Sequence, residues 1–417
     1  MLNRIIFLLL AAFLMVLLDF YVFQAVKTVT RNWNNTATRS IHILYWTINI
    51  LAVSSFLFLL LGNPELLNRQ VRTFIGVGIF MVFFSKIMVA LFLVIDDVRR
   101  FGQWAFQQVK PSSEPKGESE GISRSEFLAK TGLLMGGLPM GAMLYGIISG
   151  AHDYRIRRLS VSLPNLPSEF DGLKICQISD IHSGSFYKKD PVNRGVDMLL
   201  NEKPDVVFFT GDLVNNVASE IENHQEIFER ISAPMGVYSV LGNHDYGDYV
   251  RWDSQEEKRA NLERLKEIHK EMGWRLLMNE HEVLERNGQQ IAVLGIENWS
   301  AKGRFPKHGD LAKAHQGTEN IPVKLLLSHD PSHWDAQVRS DYKDIDIMFA
   351  GHTHGAQFGV EIPGLKWSPV KYMYEKWAGL YQEGSQYLYV NRGFGYLGFP
   401  GRIGILPEIT ILELKTA

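Results

Sequence analysis

Cysteine is almost missing from this chain. Cys176 is its one cysteine among 417 residues, and it stands inside the apolar stretch 173–178. A single cysteine cannot form an internal disulfide, so no disulfide framework holds the fold together. It also cannot supply the several thiolates of a structural zinc cage. We therefore expect Cys176 to be a small buried hydrophobic side chain.

An excess of charge of one sign is also lacking. The 43 lysines and arginines nearly balance the 45 aspartates and glutamates, and the formal net charge is -2. No overall field favours an acidic partner, and no nucleic-acid binding is implied. The length is enough for two or three domains, or for one large domain with appendages.

Long apolar runs are concentrated in the first 150 residues. Three of them, 5–26, 41–61 and 74–95, are each long enough to cross about 30 Å of hydrocarbon as a helix. A fourth run, 131–149, carries glycines at a spacing that suits close helix packing. A signal peptide is the alternative for the first run, but two further runs follow it directly. The sequence predicts a transmembrane anchor of about four helices over residues 1–152.

The charges between these runs predict an orientation in the membrane. Loops 27–39 and 99–124 contain more lysine and arginine than the segments on the opposite side. The positive-inside rule places such loops in the cytoplasm. We therefore expect a multi-pass integral membrane protein whose remaining domain, 153–417, is extracytoplasmic. Asp19 and Lys86 lie inside the runs, where charged residues usually face the bundle interior and form pairs.

Residues 153–417 contain five apolar stretches that read as strands and end in polar residues. These stretches are 173–179, 205–210, 237–241, 323–327 and 345–350. Segments between them, such as 193–202 and 256–272, have helical patterns. In open α/β sheets, ligands bind at the carboxyl ends of the strands. The sequence therefore predicts an α/β domain with a site at that edge.

The polar residues after the five strands are all of metal-binding types. They are Asp180, His182, Asp212, Asn243, His329, His352 and His354. Carboxylates, an amide oxygen and imidazoles suit two divalent ions about 4 Å apart, and manganese, iron and zinc all accept such ligands. Each motif alone is also an ordinary turn or helix cap. Five such motifs in order, each after a predicted strand, favour a metal site. We expect Asp212 to bridge the two ions.

His244 follows Asn243 and is not needed as a metal ligand. An imidazole at this place could be the general acid that protonates a leaving oxygen. We expect Asp245 or another nearby acid to orient it.

Several of these motifs resemble the ordered blocks of the calcineurin-like metallophosphoesterases. The matching blocks are Asp180-x-His182, Gly211-Asp212, Gly242-Asn243-His244-Asp245, Ser328-His329 and Gly351-His352-Thr353-His354. The resemblance implies a four-layer α/β sandwich with a dinuclear metal centre. It assigns one ion to Asp180, His182, Asp212 and His354, and the other to Asp212, Asn243, His329 and His352.

A further resemblance concerns one branch of that family. His329-Asp330-Pro331 and the tail 392–409 are similar to the bacterial membrane-associated or exported branch, which includes enzymes acting on phospholipid-like substrates. The sequence departs from this branch at Glu297-Asn298, where an Asp pair that could contact substrate is expected.

The expected activity is hydrolysis of a phosphate ester by a metal-bridging hydroxide. The substrate could be a phosphodiester, a monoester or a lipid-linked pyrophosphate. One alternative is a non-catalytic metal-binding sensor or regulatory membrane protein that retains the fold. Another is a transporter regulated by the domain. The complete ligand set and His244 favour the enzyme, and the scarcity of polar residues in the spans disfavours transport.

An aromatic stretch near the C-terminus has two interpretations. Its members are Phe358, Trp367, Tyr372, Tyr374, Trp377 and Tyr381. They could pack in a core and a hairpin, or they could form a rim that seeks the membrane interface and admits a lipid tail.

Overall fold

The computed structural model describes residues 2–63, 66–109, 124–303 and 305–417. The chain forms two compact units, residues 1–145 and 146–417. This border lies inside the fourth helix, slightly before the border that we predicted at 152/153.

The first unit is helical. In its described part the helices are α1 (Leu2–Thr30), α2 (Asn35–Leu61), α3 (Arg69–Val109) and α4 (Arg124–Ile148). Each coincides with one predicted apolar run, and all four are long and apolar enough to cross a membrane. Helices α3 and α4 approach closely at Gly136, where an added Cβ would lie 2.7 Å from the Ser85 carbonyl oxygen. This is the packing expected of small residues between membrane helices.

Asp19 and Lys86 form the predicted pair inside this unit. The Lys86 ammonium bonds to the Asp19 carboxylate and to the amide oxygen of Asn49, and all three residues are buried. The Tyr45 hydroxyl donates to the Asp19 backbone carbonyl over 2.6 Å. Because an unpaired charge is costly in hydrocarbon, this mutual satisfaction explains how the two residues are tolerated.

The second unit is built on two six-stranded sheets. The first contains β1 (Arg155–Leu163), β2 (Lys174–Ile178), β3 (Val206–Phe209), β4 (Val237–Ser239), β5 (Arg275–Leu276) and β14 (Glu408–Thr416), in the order β1-β14-β2-β3-β4-β5. The second contains β6 (Glu280–Arg286), β7 (Gln289–Gly295), β8 (Lys324–Leu327), β9 (Ile347–Ala350), β12 (Gly379–Glu383) and β13 (Gln386–Val390), in the order β12-β13-β9-β8-β7-β6. Strands β10 (Val360–Ile362) and β11 (Leu365–Trp367) form a separate hairpin.

Helices cover the outer faces of both sheets. They are α5 (Lys189–Asn201), α6 (Gln225–Phe228), α7 (Gln255–Glu271), α8 (Leu311–His315) and α9 (Arg339–Asp341). Alternate strand residues point to opposite faces, so Ile175 joins the core between the sheets while Cys176 joins the core beneath α5 and α7. A third core lies between α8 and the second sheet. The result is the predicted four-layer α/β sandwich, with Cys176 buried as expected.

The strand directions position the loops that carry the predicted ligands. Strands β2, β3 and β4 are parallel neighbours in the first sheet, and β7, β8 and β9 are parallel neighbours in the second. Parallel strands present their carboxyl ends at one edge of a sheet. The five strands predicted from the sequence are confirmed, and a predicted ligand follows the end of each one within four residues.

Candidate metal centre

Five of the seven predicted ligands have a left-handed backbone conformation. Their φ angles are 51° at Asp180, 48° at His182, 62° at Asp212, 71° at His352 and 49° at His354. Residues with a Cβ rarely adopt positive φ. Each such residue costs about 1–3 kcal/mol, and such strain clusters at functional sites.

Two glycines of the sequence motifs let the loops touch. A Cβ added at Gly351 would lie 2.0 Å from Oγ of Ser179 and 2.3 Å from Oδ2 of Asp180. A Cβ added at Gly242 would lie 2.2 Å from Oδ1 of Asp212. A larger residue in either place would therefore displace a carboxylate that precedes it in the chain.

The first ligand cluster consists of Asp180, His182 and His354, and all three are buried. Their ligand atoms lie within 4.8 Å of one another. Nε2 of His182 is 3.0 Å from Nε2 of His354, which is 3.2 Å from Oδ1 of Asp180. These atoms converge on one point, as ligands of a common cation would.

The second ligand cluster consists of Asp212, His329 and His352. Nε2 of His329 is 3.1 Å from Oδ2 of Asp212 and 3.3 Å from Nδ1 of His352. Nδ1 of His329 lies 2.7 Å from the Thr210 carbonyl oxygen. Because that carbonyl can only accept, Nδ1 carries the proton of the neutral ring, and Nε2 of that ring keeps its lone pair for a metal.

Asp212 lies between the two clusters. Its Oδ2 is 3.1 Å from Nε2 of His329 and 3.5 Å from Nε2 of His182, so one oxygen faces both groups. Its Oδ1 accepts the backbone N–H of His244 over 2.9 Å. This is the geometry that a bridging carboxylate needs.

Asn243 provides an independent test of the site. Its Nδ2 donates to the Tyr249 hydroxyl over 2.8 Å, while its buried Oδ1 has no hydrogen-bond partner among the described residues. A buried acceptor without a partner costs about 1–3 kcal/mol. A cation ligated by this oxygen would remove the cost, so Asn243 fits the ligand role.

The electrostatics keep the carboxylates of Asp180 and Asp212 ionised. Burial would raise the pKa of Asp212, but the surrounding histidines, led by His329, hold this pKa well below its usual range. Conversely, burial opposes protonation of His329, but the carboxylates of Asp212 and Asp180 outweigh it and raise the pKa of His329 to about 10. Positive charge is therefore favoured at the centre of the site, which a cation would supply.

His244 is oriented by a backbone carbonyl, which corrects the expectation that an acid orients it. Its Nδ1 lies 2.8 Å from the Asn215 carbonyl oxygen, which leaves Nε2 available for proton transfer. Its ring centroid is 5.0 Å from that of His182. The Asp245 carboxylate instead accepts the backbone N–H groups of Asp212 and Gly242 over 2.9 and 2.8 Å. Asp245 thus holds the loops together.

Tyr374 is a functional candidate that the sequence reasoning missed. Its hydroxyl is 2.9 Å from Nε2 of His352 and donates to Oδ2 of Asp330 over 3.2 Å. It therefore fixes the ring that presents Nδ1 to the second cluster. The sequence placed Tyr374 among aromatics interpreted as packing or as a lipid rim. A cavity of about 470 Å³ beside it is lined also by Lys302, Lys371 and Lys376.

Glu297 and Asn298, the departure from the family branch, are used within the fold. Glu297 accepts from the Tyr246 hydroxyl over 3.2 Å and from Nδ2 of Asn279 over 2.7 Å. The Asn298 backbone N–H donates to the same Tyr246 hydroxyl over 3.2 Å. These contacts give the pair a structural role.

A four-layer α/β sandwich with two ligand clusters at its strand ends has the architecture of a metal-dependent phosphoesterase. Two family models match the chain. Residues 173–356 match the model described as calcineurin-like phosphoesterase, and residues 3–151 match the model described as probable calcineurin-like phosphoesterase, transmembrane domain. The chain belongs to the calcineurin-like metallophosphoesterases and carries the transmembrane domain of that family.

The relatives include bacterial and animal proteins. A "Transmembrane protein with metallophosphoesterase domain" of Danio rerio is 28% identical over 100% of this chain and 91% of its own length. The Bos taurus protein of the same description is 25% identical over 97% of this chain and 88% of its own. The "Uncharacterized metallophosphoesterase YkuE" of Bacillus subtilis is 28% identical over 71% of this chain and 98% of its own. The two animal relatives, which are described as transmembrane proteins, match nearly the whole of this chain.

Proposed function

We propose that this protein is a membrane-anchored enzyme that hydrolyses a phosphate ester with two divalent metal ions. The observation that carries the proposal is Asp212, whose Oδ2 faces His182 of one cluster and His329 of the other. Asp180, His182, Asp212 and His354 would hold one ion. Asp212, Asn243, His329 and His352 would hold the second. Manganese, iron and zinc all suit these ligands.

The residues of the chain divide the remaining work between them. Divalent cations bound in this site would neutralise phosphoryl oxygens and activate a water molecule. His244 supplies a proton from Nε2 to the departing oxygen, because the Asn215 carbonyl occupies its Nδ1. Asp245 keeps the Asp212 and Asn243 loops in register through its backbone contacts.

The proposed substrate class includes phosphodiesters, monoesters and lipid-linked pyrophosphates. The cavity beside Tyr374 is lined by three lysines, Lys302, Lys371 and Lys376, and by two acids, Asp335 and Glu375. The excess of one positive charge suits an anionic headgroup. We favour a phospholipid-like molecule within this class, because an enzyme anchored in a membrane meets such substrates. We propose further that the domain acts outside the cytoplasm, as the loop charges predict.

A non-catalytic sensor that retains the fold is the second candidate. Such a protein would need the metal ligands but not an oriented His244. The defined Asn215–His244 contact therefore favours the enzyme.

The test measures metal content and hydrolysis of aryl phosphate monoesters and diesters by the full-length protein in detergent. Asp212→Asn should lose paired metal binding and activity, whereas the surface variant Asp197→Asn should keep both. Two ions per chain with turnover of one ester class supports the proposal and ranks the esters. Two ions without turnover on either ester directs the assay to phospholipid and pyrophosphate substrates in membranes. A chain that binds no metal after supplementation contradicts the proposal.

A further inference from the structure

The hairpin formed by β10 and β11 has an unusual division of polar and apolar residues. Its register pairs Val360 with Trp367, Glu361 with Lys366, and Ile362 with Leu365. Residues directly opposite each other in an antiparallel pair share a face of the hairpin. One face therefore carries four apolar side chains, and the other carries Glu361 and Lys366.

The polar face is turned towards the body of the second unit. Glu361 accepts hydrogen bonds from Arg157 and Arg392 over 2.6 and 2.7 Å. The Lys366 ammonium bonds to the Ala378 carbonyl and lies 4.8 Å from the centroid of the Trp377 ring. Charged groups thus attach the hairpin to the domain.

The apolar face is turned outwards. Val360 is 39%, Ile362 58% and Leu365 50% exposed. Antiparallel sheets with one wet face normally turn their apolar side chains to the core and their polar ones to water. This hairpin does the reverse, so its outer face is suited to an apolar medium rather than to water.

Neighbouring residues enlarge this surface. Phe358 precedes β10, is 46% exposed and has its ring centroid 6.4 Å from that of Trp367. Tyr372 and Met373 follow β11 at 75% and 49% exposed, and they also line the cavity beside Tyr374. Lys371 lies 5.3 Å from the centroid of the Tyr372 ring. Aliphatic side chains bordered by tyrosine and lysine match the composition of protein surfaces at the headgroup layer of a bilayer.

The second unit begins next to the base of this hairpin. Gly146, near the end of α4, accepts the backbone N–H of Arg402 over 3.1 Å, and Ile403 pairs with Phe358 in a β-bridge. A Cβ at Gly150 would lie 2.1 Å from the Arg402 carbonyl oxygen, so this contact is close. The segment from Ser125 to His152 is long and apolar enough to cross a membrane. The hairpin therefore starts where a membrane-crossing segment ends.

We propose that this outer face, consisting of Phe358, Val360, Ile362, Leu365, Tyr372 and Met373, lies in the interfacial layer of the bilayer that the chain spans. The occupant is lipid, because the surface sits beside the end of a span and has the composition of an interface. The proposal does not depend on the hydrolytic activity. This outer face holds the second unit against the membrane, in addition to the covalent link through α4.

The test places a spin label on the hairpin of the full-length chain in lipid nanodiscs that hold one chain each. Cys176 is fully buried, so a cysteine introduced by Ile362→Cys is labelled selectively. Val283→Cys is the matched control, because Val283 is also an apolar strand residue, 39% exposed, on β6 at the opposite edge of the second sheet from β12. Power saturation then compares collisions of the label with oxygen and with a water-soluble nickel chelate.

We expect the Ile362→Cys label to collide more with oxygen than with the nickel chelate, and the Val283→Cys label to show the opposite. Unchanged thermal melting of both variants confirms that they are folded. Equal nickel accessibility at the two positions overturns the proposal. The proposal is also overturned if the Ile362→Cys label is protected from the nickel chelate only in discs that hold two chains. The surface would then bind a second copy of the chain.

Discussion

Backbone strain at the candidate metal centre has an identifiable source of support. Asp212 has a φ of 62°, which would be unfavourable in an isolated loop. The Asp245 carboxylate accepts the N–H groups of Asp212, Leu213 and Gly242 over 2.9, 2.9 and 2.8 Å. Burial and the neighbouring Asp212 raise the pKa of Asp245 to about 7. Where this carboxylate is ionised, each hydrogen bond that it accepts contributes about 1.5–3 kcal/mol. One buried side chain can therefore hold the strained loop before any cation binds.

Gly351→Ala tests whether loop contact is required for the first cluster. The added Cβ would lie 2.0 Å from Ser179 Oγ and 2.3 Å from Asp180 Oδ2, so Asp180 must move. We expect at least about tenfold weaker binding of one ion per chain, which corresponds to about 1.4 kcal/mol. Metal analysis after dialysis measures the number of ions that each chain retains. Gly303→Ala, where no atom of the described residues lies within 4 Å of the added Cβ, is the control. Two tightly bound ions in Gly351→Ala would refute this account.

His244→Ala separates catalysis from metal binding. Removing the imidazole removes the proposed proton donor, and general acid–base catalysis typically contributes about 10²–10⁴-fold to the rate. Turnover should fall in this range while metal content stays normal, because the His244 contact to Asp212 is made by its backbone N–H. Parallel activity assays and metal analysis decide the question. Loss of metal in this variant would instead give His244 a structural role.

At the scale of secondary structure, the sequence predicted those elements whose signal is local. Strands β2, β3, β4, β8 and β9 are short apolar runs that end in a polar residue, and all five are confirmed. The Asn287-Gly288 turn between β6 and β7 has an equally local signal, because both residues favour the positive φ that they adopt. The helical patterns at 193–202 and 256–272 correspond to α5 and α7.

Elements and contacts that depend on distant parts of the chain were not predicted. Strand β14 runs antiparallel to β2, with Thr410 opposite Gln177, and no local pattern specifies such a pairing. The contacts that orient His244 and His352 come from Asn215 and Tyr374, which lie 29 and 22 residues away along the chain. The sequence could therefore propose the ligands but not the groups that hold them in place.

A pH-dependent stability is expected from the contact between α7 and β4. His269 on α7 is fully buried, with Nδ1 3.0 Å from Oγ of Ser239, and burial lowers its pKa to about 3. Below about pH 6.5, the unfolded chain binds a proton that the folded chain excludes. The free energy of unfolding should therefore decrease as the pH falls from about 6.5 towards 3, by about 1.4 kcal/mol per pH unit from this group.

His269→Phe should remove this contribution. The ring would still face Phe209 and Trp274, whose centroids lie 6.0 and 5.9 Å from that of His269. Melting temperatures of the full-length chain in detergent at pH 8, 6.5 and 5 provide the measurement. The difference between variant and wild type at pH 8 reports packing and the lost hydrogen bond to Ser239, without proton binding, since His269 is neutral there in both states. If the melting temperature falls with pH equally in the two proteins, His269 is not the source of the pH dependence.

At the scale of the whole molecule, the polar residues of the first unit bear on the transport alternative. Lys86 is bonded to both Asp19 and Asn49, and Tyr45 closes the cluster. Groups that satisfy one another in this way stabilise a helical bundle without a moving ion. The cluster therefore adds no support to a transport function, and the proposed chemistry stays with the second unit.

The side of the membrane on which the second unit lies decides which substrates it meets. Four spans place both flanking segments on one side. The loops within 27–39 and 99–124 carry the larger share of basic residues, although 110–123 lie outside the described residues. Each charge moved across the membrane against its potential costs about 2.3 kcal/mol per 100 mV, so such loops stay in the cytoplasm. We therefore predict that the second unit is extracytoplasmic.

Cysteine labelling of bacterial spheroplasts that express the full chain tests this orientation. Cys176 is buried and gives no background, so Lys343→Cys reports an exposed position on the second unit and Asn32→Cys reports the turn between α1 and α2. A membrane-impermeant maleimide should label Lys343→Cys in intact spheroplasts and Asn32→Cys only after lysis. The reverse pattern would place the second unit in the cytoplasm. The substrate search would then move to cytoplasmic phosphate esters, because a site on that side cannot reach extracytoplasmic lipid headgroups.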